Sequence, residues 1–193
     1  LNLTNYRITP PQAVLEAARE LAARRGIVVT GSEVVGVVPF EAMQQAGRFY
    51  LRRMQKSTGV PARDIVRTAV QAMGLNDVAK FDIDRKVIGL PQPGGPLVGR
   101  SVADFVDEVS RDTPAPGGGS IAALAGALGA ALASMVANLS IGKGEFDARY
   151  GELCDLAERA QAAKDELVGA IDADTEAFNE VLAALRLAKD TPE

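Results

Sequence analysis

The sequence predicts an α+β fold, in which a small α/β layer is followed by a segment of an all-α helical bundle. In the first half of the 193-residue chain, short β-branched runs alternate with helical patterns. A stretch rich in proline and glycine, residues 91–96, interrupts this alternation, and only helical patterns follow it. We therefore predict a first domain over residues 1–90, a linker over residues 91–100 and a second domain over residues 101–193.

The first helix and two strands are predicted from their boundary residues and composition. Thr9 is expected to cap the helix, with Pro10 at its first position, and Gly26 is expected to end it. Two β-branched runs, residues 27–30 and 34–38, each predict a short strand. The chain also opens on an alternating run typical of a strand already under way. From this we expect an incomplete sheet and a sequence cut from a larger protein.

Two further helices complete the predicted α/β layer. Pro39 is expected to open the first, and Pro61 the second, which Gly74 ends. One side of the second helix is apolar and is predicted to face the core. It consists of Ile65, Val66, Ala69 and Met73.

The second half predicts helices only. Ser101 followed by Asp104 resembles a capping box, and the helix after it carries an apolar face made of Val102, Phe105, Val106 and Val109. A long helical pattern runs from about residue 145 to residue 187.

Between these helices, residues 120–139 contain no charged side chain. This stretch is long enough to cross a bilayer. Their large apolar side chains lie on one side, at Leu124, Leu128, Leu132, Met135, Val136 and Leu139. Their small side chains form a ridge, at Ala122, Gly126, Ala130 and Ser134. Such a ridge suits close helix packing in a membrane dimer or in a soluble bundle. The charged faces of the flanking helices favour the bundle helix, and the membrane span is the alternative.

Composition excludes several kinds of chemistry. The chain has no histidine, which rules out a Ser-His-Asp triad, a histidine metal site and an imidazole base within it. Its single cysteine, Cys154, rules out a cysteine-rich zinc site and fits the reducing cytoplasm. A net charge of −4 without a basic run argues against nucleic acid as a partner. We expect no metal.

Gly117, Gly118, Gly119 and Ser120 lie where the uncharged helix begins. Backbone N–H groups at a helix N-terminus are unpaired and favour an anion. No Lys-Ser or Lys-Thr follows, so the turn is not a Walker A loop. Two interpretations stay open: a turn that lets a flat or anionic ligand reach the backbone, and a tight turn that permits close helix packing.

Asp172 and Asp174 lie on nearly opposite sides of the last predicted helix. By periodicity, Asp172 is on the polar side, and Asp174 is within a stripe made of Leu167, Ala170, Ile171, Phe178, Val181 and Leu185. A carboxylate among apolar side chains must be paired, protonated or used, and such a site suits general acid or base catalysis. The alternative is an interhelical hydrogen bond or ion pair.

Several quoted stretches resemble one enzyme family. "TPAPGGGSIAALAGALGAALASMVANLSIGK" and "IDADTEAFNEVLAALRLAKDTPE" resemble the formiminotetrahydrofolate cyclodeaminase domain. "LNLTNYRITP", "VVTGSEVVGVVPFEA" and "GLNDVAKFDIDRKVIGL" resemble the C-terminal subdomain of glutamate formiminotransferase. In this order they resemble the bifunctional formiminotransferase-cyclodeaminase family over nearly the whole chain. Residues 1–90 would then be the transferase subdomain, and residues 101–193 the start of the cyclodeaminase domain.

The resemblance implies two folate reactions. The transferase moves a formimino group from formiminoglutamate, a product of histidine degradation, to tetrahydrofolate. The cyclodeaminase closes 5-formiminotetrahydrofolate to 5,10-methenyltetrahydrofolate and releases ammonia. The family implies a helical bundle that forms homo-oligomers, with tetrahydrofolate as the substrate carrier. The alternatives are an enzyme similar to methenyltetrahydrofolate cyclohydrolase and a non-catalytic folate-binding or dimerisation module.

The resemblance also assigns an acidic catalytic residue to the last helix. Its predicted facing selects Asp174 for proton transfer, with Asp172 as the second choice. The folate site implied by the resemblance consists of Gly117, Gly118, Gly119 and Ser120 in the cyclodeaminase part, and Val38, Pro39 and Phe40 in the transferase part.

Two departures from the family limit what we expect of the chain alone. The transferase uses a histidine in its N-terminal subdomain, so we expect the transferase half to be inert here. The helical half covers only part of the family's domain, so we expect exposed apolar surface and little or no activity.

Overall fold

The computed structural model describes residues 1–92 and 94–187. Pro93, in the predicted linker, and residues 188–193, at the end of the predicted second domain, lie outside the described residues. The elements are α1 (Pro11–Ala23), β1 (Val38–Pro39), α2 (Phe40–Arg53), α3 (Ala62–Ala72), α4 (Ile83–Lys86), β2 (Val87–Ile88), α5 (Val102–Val109), α6 (Gly118–Ser140), a 3-10 helix (Gly144–Arg149) and α7 (Tyr150–Leu185).

The described part of the chain is a mostly helical α+β structure, as the sequence predicts at this coarse level. Its two strands are parallel, with Val38 opposite Val87 and Pro39 opposite Ile88. The chain forms two compact units. Among the described residues, the first contains Leu1–Pro91 and Val136–Glu158, and the second contains the others, residues 92, 94–135 and 159–187. The division into domains at residues 91–100 stays a prediction.

The predicted strand at residues 27–30 is wrong, and the one at residues 34–38 is reduced to its last residue. The β-branched side chains there are mostly exposed; Val28 and Val35 keep 83% and 88% of their accessible surface. Strand propensity reflects packing on a pleated surface more than an intrinsic backbone preference. Without that packing, these residues form irregular backbone.

The predicted helices of the first unit are confirmed with small shifts. α1 begins at Pro11, one residue later than predicted, with Pro10 rather than Thr9 at the N-cap. Pro39 and Pro61 precede α2 and α3 as N-cap residues. Gly26 and Gly74 follow α1 and α3 with φ of +70° and +62°, a backbone conformation that glycine adopts without strain.

Helices α2 and α3 form most of the first core. The four predicted inward residues of α3 are all buried: Ile65, Val66, Ala69 and Met73. The two helices approach so closely at Gly47 that an added Cβ would lie 2.1 Å from the backbone oxygen of Ile65. The core also includes Met43 and Tyr50 of α2, whereas Met54 is exposed.

The second unit has a small core where α5, α6 and α7 meet residues 97 and 98. Its buried members are Leu97, Phe105, Ala123 and Ile171. Ser101 caps α5 by accepting a hydrogen bond from the Asp104 N–H at 3.1 Å. The predicted apolar face of α5 is only partly buried, because Val102 and Val106 are exposed.

Helix α6 turns small residues inward and large ones outward. Ser120, Ala123, Ala127 and Ser134 are buried, whereas Leu128 and Leu132 are more than half exposed. Among the described residues, α6 is the one helix long and apolar enough to cross a membrane. Core helices of soluble proteins can have the same length and composition, so this feature is a weak indication of a membrane.

Candidate active site at the start of α6

The first turn of α6 holds the carboxylate of Asp174. The backbone N–H of Ser120 donates to Asp174 Oδ2 at 2.9 Å. The fully buried Ser120 hydroxyl donates to the carbonyl oxygen of Ile171 at 2.8 Å and lies 3.2 Å from Asp174 Oδ2. It also lies 3.1 Å from the hydroxyl oxygen of Thr175. One serine therefore joins the start of α6 to a full turn of α7.

Gly119 leaves room for this carboxylate. A Cβ built on Gly119 would lie 2.0 Å from Asp174 Oδ1 and 2.4 Å from its Cγ. Any other residue would force the carboxylate or the helix start to move. The third glycine of the triplet, Gly119, is therefore required for the close approach of an acidic side chain.

The arrangement provides an anionic group that is fixed yet accessible. Asp174 is exposed, and both of its hydrogen bonds go to Oδ2. Among the residues that the structure describes, none donates a hydrogen bond to Oδ1. The positive end of the α6 dipole also favours a negative charge at this place. Asp174 can therefore accept a proton from a bound molecule through a free oxygen.

Asp172 has a different environment. It is only 7% exposed, and its two oxygens accept hydrogen bonds from the backbone N–H groups of Leu97 and Val98, at 2.8 and 3.1 Å. Gly95 packs against it, since an added Cβ would lie 2.1 Å from Asp172 Oδ2. Both oxygens thus serve to anchor the segment that precedes α5.

The predicted facing of the two acids is wrong. Asp174 was expected among apolar side chains and is exposed; Asp172 was expected on the polar side and is buried. The stripe used for that prediction is not a core face here, because Phe178, Val181 and Leu185 are all exposed. The inward face is set instead by Ser120 and by residues 95–98, which lie within the predicted linker. The choice of Asp174 as the catalytic residue, with Asp172 second, stays a prediction.

The three folate-site residues predicted in the transferase part lie in the other compact unit. Val38 and Phe40 are buried members of the first core, and Pro39 between them is exposed. Their contact with folate stays a prediction, as does that of Gly117 and Gly118. The structure brings together Gly119, Ser120 and Asp174.

Sequence reasoning missed two residues of this site. Thr175 contacts the Ser120 hydroxyl, and Gly95 contacts Asp172. Thr175 follows a predicted site residue, which could have drawn attention to it. Gly95 has no distinguishing signal, because it lies in a stretch where glycine is already explained by a linker. Within residues 1–92 and 94–187, no group of three or more His, Cys, Asp or Glu could hold a metal ion.

Two family models together match nearly the whole chain. The model for the Formiminotransferase domain matches residues 1–90, and the model for Formiminotransferase-cyclodeaminase matches residues 101–193. The chain is therefore of the class that joins a transferase-type segment to a cyclodeaminase-type segment.

Curated relatives show the same order over the full length of this chain. Formimidoyltransferase-cyclodeaminase of Mus musculus and of Rattus norvegicus are each 38% identical over 196 residues, 100% of this chain and 36% of the relative. Methenyltetrahydrofolate cyclohydrolase of Methylorubrum extorquens is 41% identical over 93 residues, 48% of this chain and 45% of the relative. The chain belongs to the formiminotransferase-cyclodeaminase family, and it spans 36% of the length of the mouse relative.

Proposed function

We propose that the protein carrying this sequence is a bifunctional folate enzyme. It transfers the formimino group of formiminoglutamate to tetrahydrofolate, then cyclises 5-formiminotetrahydrofolate to 5,10-methenyltetrahydrofolate with release of ammonia. The observation that supports this proposal is the match of both segments, in order, to relatives named formimidoyltransferase-cyclodeaminase. The transferase-type segment contains no histidine, so its proposed role is to contact folate rather than to transfer protons.

The cyclisation needs two proton movements that one carboxylate can perform. N10 of the folate bonds to the formimino carbon, in the protonated amidinium form of that group, and N10 then loses its proton. The former imino nitrogen gains one proton and departs as ammonia, leaving the cationic methenyl bridge between N5 and N10. A base that takes the first proton and returns it to the leaving nitrogen balances the reaction.

Asp174 suits this role because of its two unequal oxygens. Oδ2 is held by Ser120, which fixes the carboxylate, and Oδ1 is open to a ligand. Asp172 suits it less well, because both of its oxygens already accept backbone hydrogen bonds. In this proposal Gly117 and Gly118 lie beside the pterin, where their missing side chains leave the backbone accessible.

The test measures methenyltetrahydrofolate formed from 5-formiminotetrahydrofolate by the protein that carries this sequence. Asp174→Asn should lower turnover at least about 100-fold, the usual scale for loss of a general acid or base, while folate binding is retained. Asp155→Asn, an exposed acid on the same helix, is the matched control and should keep full turnover. Unchanged turnover in Asp174→Asn would remove this residue from the mechanism. If instead the unsubstituted protein binds folate without turnover, the non-catalytic module is correct.

A second candidate activity comes from the match to a methenyltetrahydrofolate cyclohydrolase over about half of the chain. In that case the enzyme would add water to the methenyl bridge rather than expel ammonia. The two activities differ in one product. One ammonia released for each methenyl group formed supports the cyclodeaminase, and hydrolysis of added methenyltetrahydrofolate without ammonia supports the hydrolase.

The exposed apolar side of α6 supports a homo-oligomer formed through the helical segment. Leu128, Leu132, Val136 and Leu139 each keep more than half of their accessible surface in the single chain. Apolar surface of this extent on a soluble protein marks an association site. Sedimentation velocity tests this: Leu132→Glu should shift the protein to a smaller species, and an unshifted profile would exclude this face.

A further inference from the structure

Helices α6 and α7 form a helical hairpin, and the end of this hairpin packs with the transferase-type segment. This hairpin end, residues 136–158, contains the last residues of α6, the 3-10 helix and the start of α7. It forms one compact unit with Leu1–Pro91, although the family models assign the two stretches to different segments. The chain therefore has a contact between the two matched segments inside one unit.

Asn138 lies at the centre of that contact. Its Oδ1 accepts a hydrogen bond from the Ser57 hydroxyl at 2.5 Å, and its Nδ2 donates to the carbonyl oxygen of Gly59 at 3.1 Å. The Ser57 oxygen in turn accepts from the Gly59 N–H at 3.1 Å. Residues 57–59 are all buried. One amide of α6 thus satisfies polar groups of the loop between α2 and α3, which would be costly to leave unpaired.

Gly59 brings the two backbones together. A Cβ built on Gly59 would lie 2.2 Å from the Cβ of Ala157 and 2.3 Å from its carbonyl carbon. Ala157 is itself fully buried, among Ala137 and Leu153. Gly59 therefore cannot gain even one methyl group without separating α7 from the loop.

Charged and polar groups surround this close contact. Glu158 of α7 pairs with Arg48 at 3.1 Å and with Arg52 at 3.7 Å, both on α2. The hydroxyl of Tyr150 donates to the backbone oxygen of Lys56 at 3.0 Å. The hairpin end therefore meets α2 and the loop after it through a packed centre with polar contacts around it.

We propose that residues 136–158 are a docking surface whose partner is the α2–α3 region of the same chain, and that this contact couples the stability of the two matched segments. Coupling of this kind is reciprocal: the contact contributes the same free energy to the stability of each side. Residues 136–158 belong to α6 and α7, so the contact joins parts of both helices to the α2–α3 region within one unit. Asn138 holds the hairpin end to the loop between α2 and α3.

Hydrogen exchange measured by mass spectrometry on the 193-residue chain tests the coupling. Asn138→Ala should speed amide exchange about fivefold or more in residues 136–158 and equally in residues 56–70, on the scale of one lost hydrogen bond. Asn179→Ala, an exposed asparagine of α7, is the matched control and should leave both regions unchanged. Faster exchange in the hairpin end alone would overturn the proposal.

Two variants test the opposite direction. Gly59→Ala should speed exchange in residues 150–158 of α7, whereas Gly169→Ala, whose added Cβ would meet nothing within 4 Å, should not. Should Gly59→Ala fail to fold, Glu158→Gln keeps the size of the side chain and removes its charge. It should then speed exchange around Arg48 and Arg52 as well as in α7. Normal exchange in α2 for that variant would also contradict the coupling.

Discussion

Replacing Gly119 with alanine should destabilise the chain, although alanine is the better helix former. The added Cβ would lie 2.0 Å from Asp174 Oδ1 and 2.7 Å from Oδ2, far inside contact distance. The neighbouring atoms are those of a carboxylate that accepts from the Ser120 N–H at 2.9 Å and lies 3.2 Å from the Ser120 hydroxyl oxygen. The side chain of Asp174 must therefore rotate away from Ser120, and its bonds are lost.

The lost hydrogen bonds and the gained helix propensity change the free energy of unfolding in opposite directions, by comparable but unequal amounts. Hydrogen bonds to a charged group contribute about 1.5–3 kcal/mol to stability. Replacing glycine by alanine inside a helix contributes about 1 kcal/mol in the other direction. The expected net effect of Gly119→Ala is a loss of about 1–2 kcal/mol in the free energy of unfolding.

Urea unfolding followed by circular dichroism measures this, with Gly129→Ala as the matched control. Gly129 lies in the same helix, and its added Cβ would meet nothing within 4 Å, so this variant should gain about 0.5–1 kcal/mol. In an Asp174→Ala background the clash is absent, and Gly119→Ala should then also stabilise. Equal stability of the two glycine variants in the unsubstituted background would refute the close approach of Asp174 to Gly119.

Two further predictions concern other carboxylates and one concerns a tyrosine. Asp172→Ala should cost about 2–4 kcal/mol in urea unfolding, because it leaves two backbone N–H groups unpaired; a loss below about 0.5 kcal/mol would argue against the anchor. Burial raises the pKa of Glu16, but hydrogen bonds from Arg19, Arg53 and Tyr50 outweigh it and leave this pKa lowered. The stabilisation from Glu16 is therefore present above the pKa that Glu16 has in the unfolded chain, and it is lost as the pH falls through its lower pKa in the folded chain. Glu16→Gln should thus flatten the acid side of a plot of unfolding free energy against pH. Burial and the Cys154 side chain raise the pKa of Tyr150 to about 12. The contribution of Tyr150 to the free energy of unfolding should persist below pH 10 and disappear between about pH 10 and 12. Tyr150→Phe should abolish this loss of stability at high pH.

The helix boundaries could be predicted from the sequence because local chemistry sets them. Proline lacks the N–H that a helix start leaves unpaired, and glycine adopts a positive φ after a helix end. These rules place the starts of α2 and α3 within one residue, since Pro39 and Pro61 are their N-caps, and they identify Gly26 and Gly74 after the ends of α1 and α3. The strand at residues 27–30 failed because strand formation needs a neighbour that local composition does not reveal.

The sequence predicts a site from Gly117–Ser120 and an acid of α7, and the structure brings Gly119, Ser120 and Asp174 together, while their role stays a prediction. The triple glycine and the acidic pair of α7 do meet, at Gly119 and Asp174. The facing of the two acids was reversed, because the prediction took large apolar residues as the inward face. Small residues form that face in α6, where Ala123 and Ala127 are buried. The pattern of large and small residues along a helix does not determine which face packs against another helix. That face is known only from the packed structure.

The most direct test of the proposed chemistry compares Asp174→Asn with Asp172→Asn in the protein that carries this sequence, by initial rate of ring closure and by unfolding. Asp174→Asn should keep its folate affinity and lose turnover at least about 100-fold. Asp172→Asn should be less stable and yet keep turnover in its folded fraction. The reverse result, with turnover lost only in a fully folded Asp172→Asn, would contradict the account.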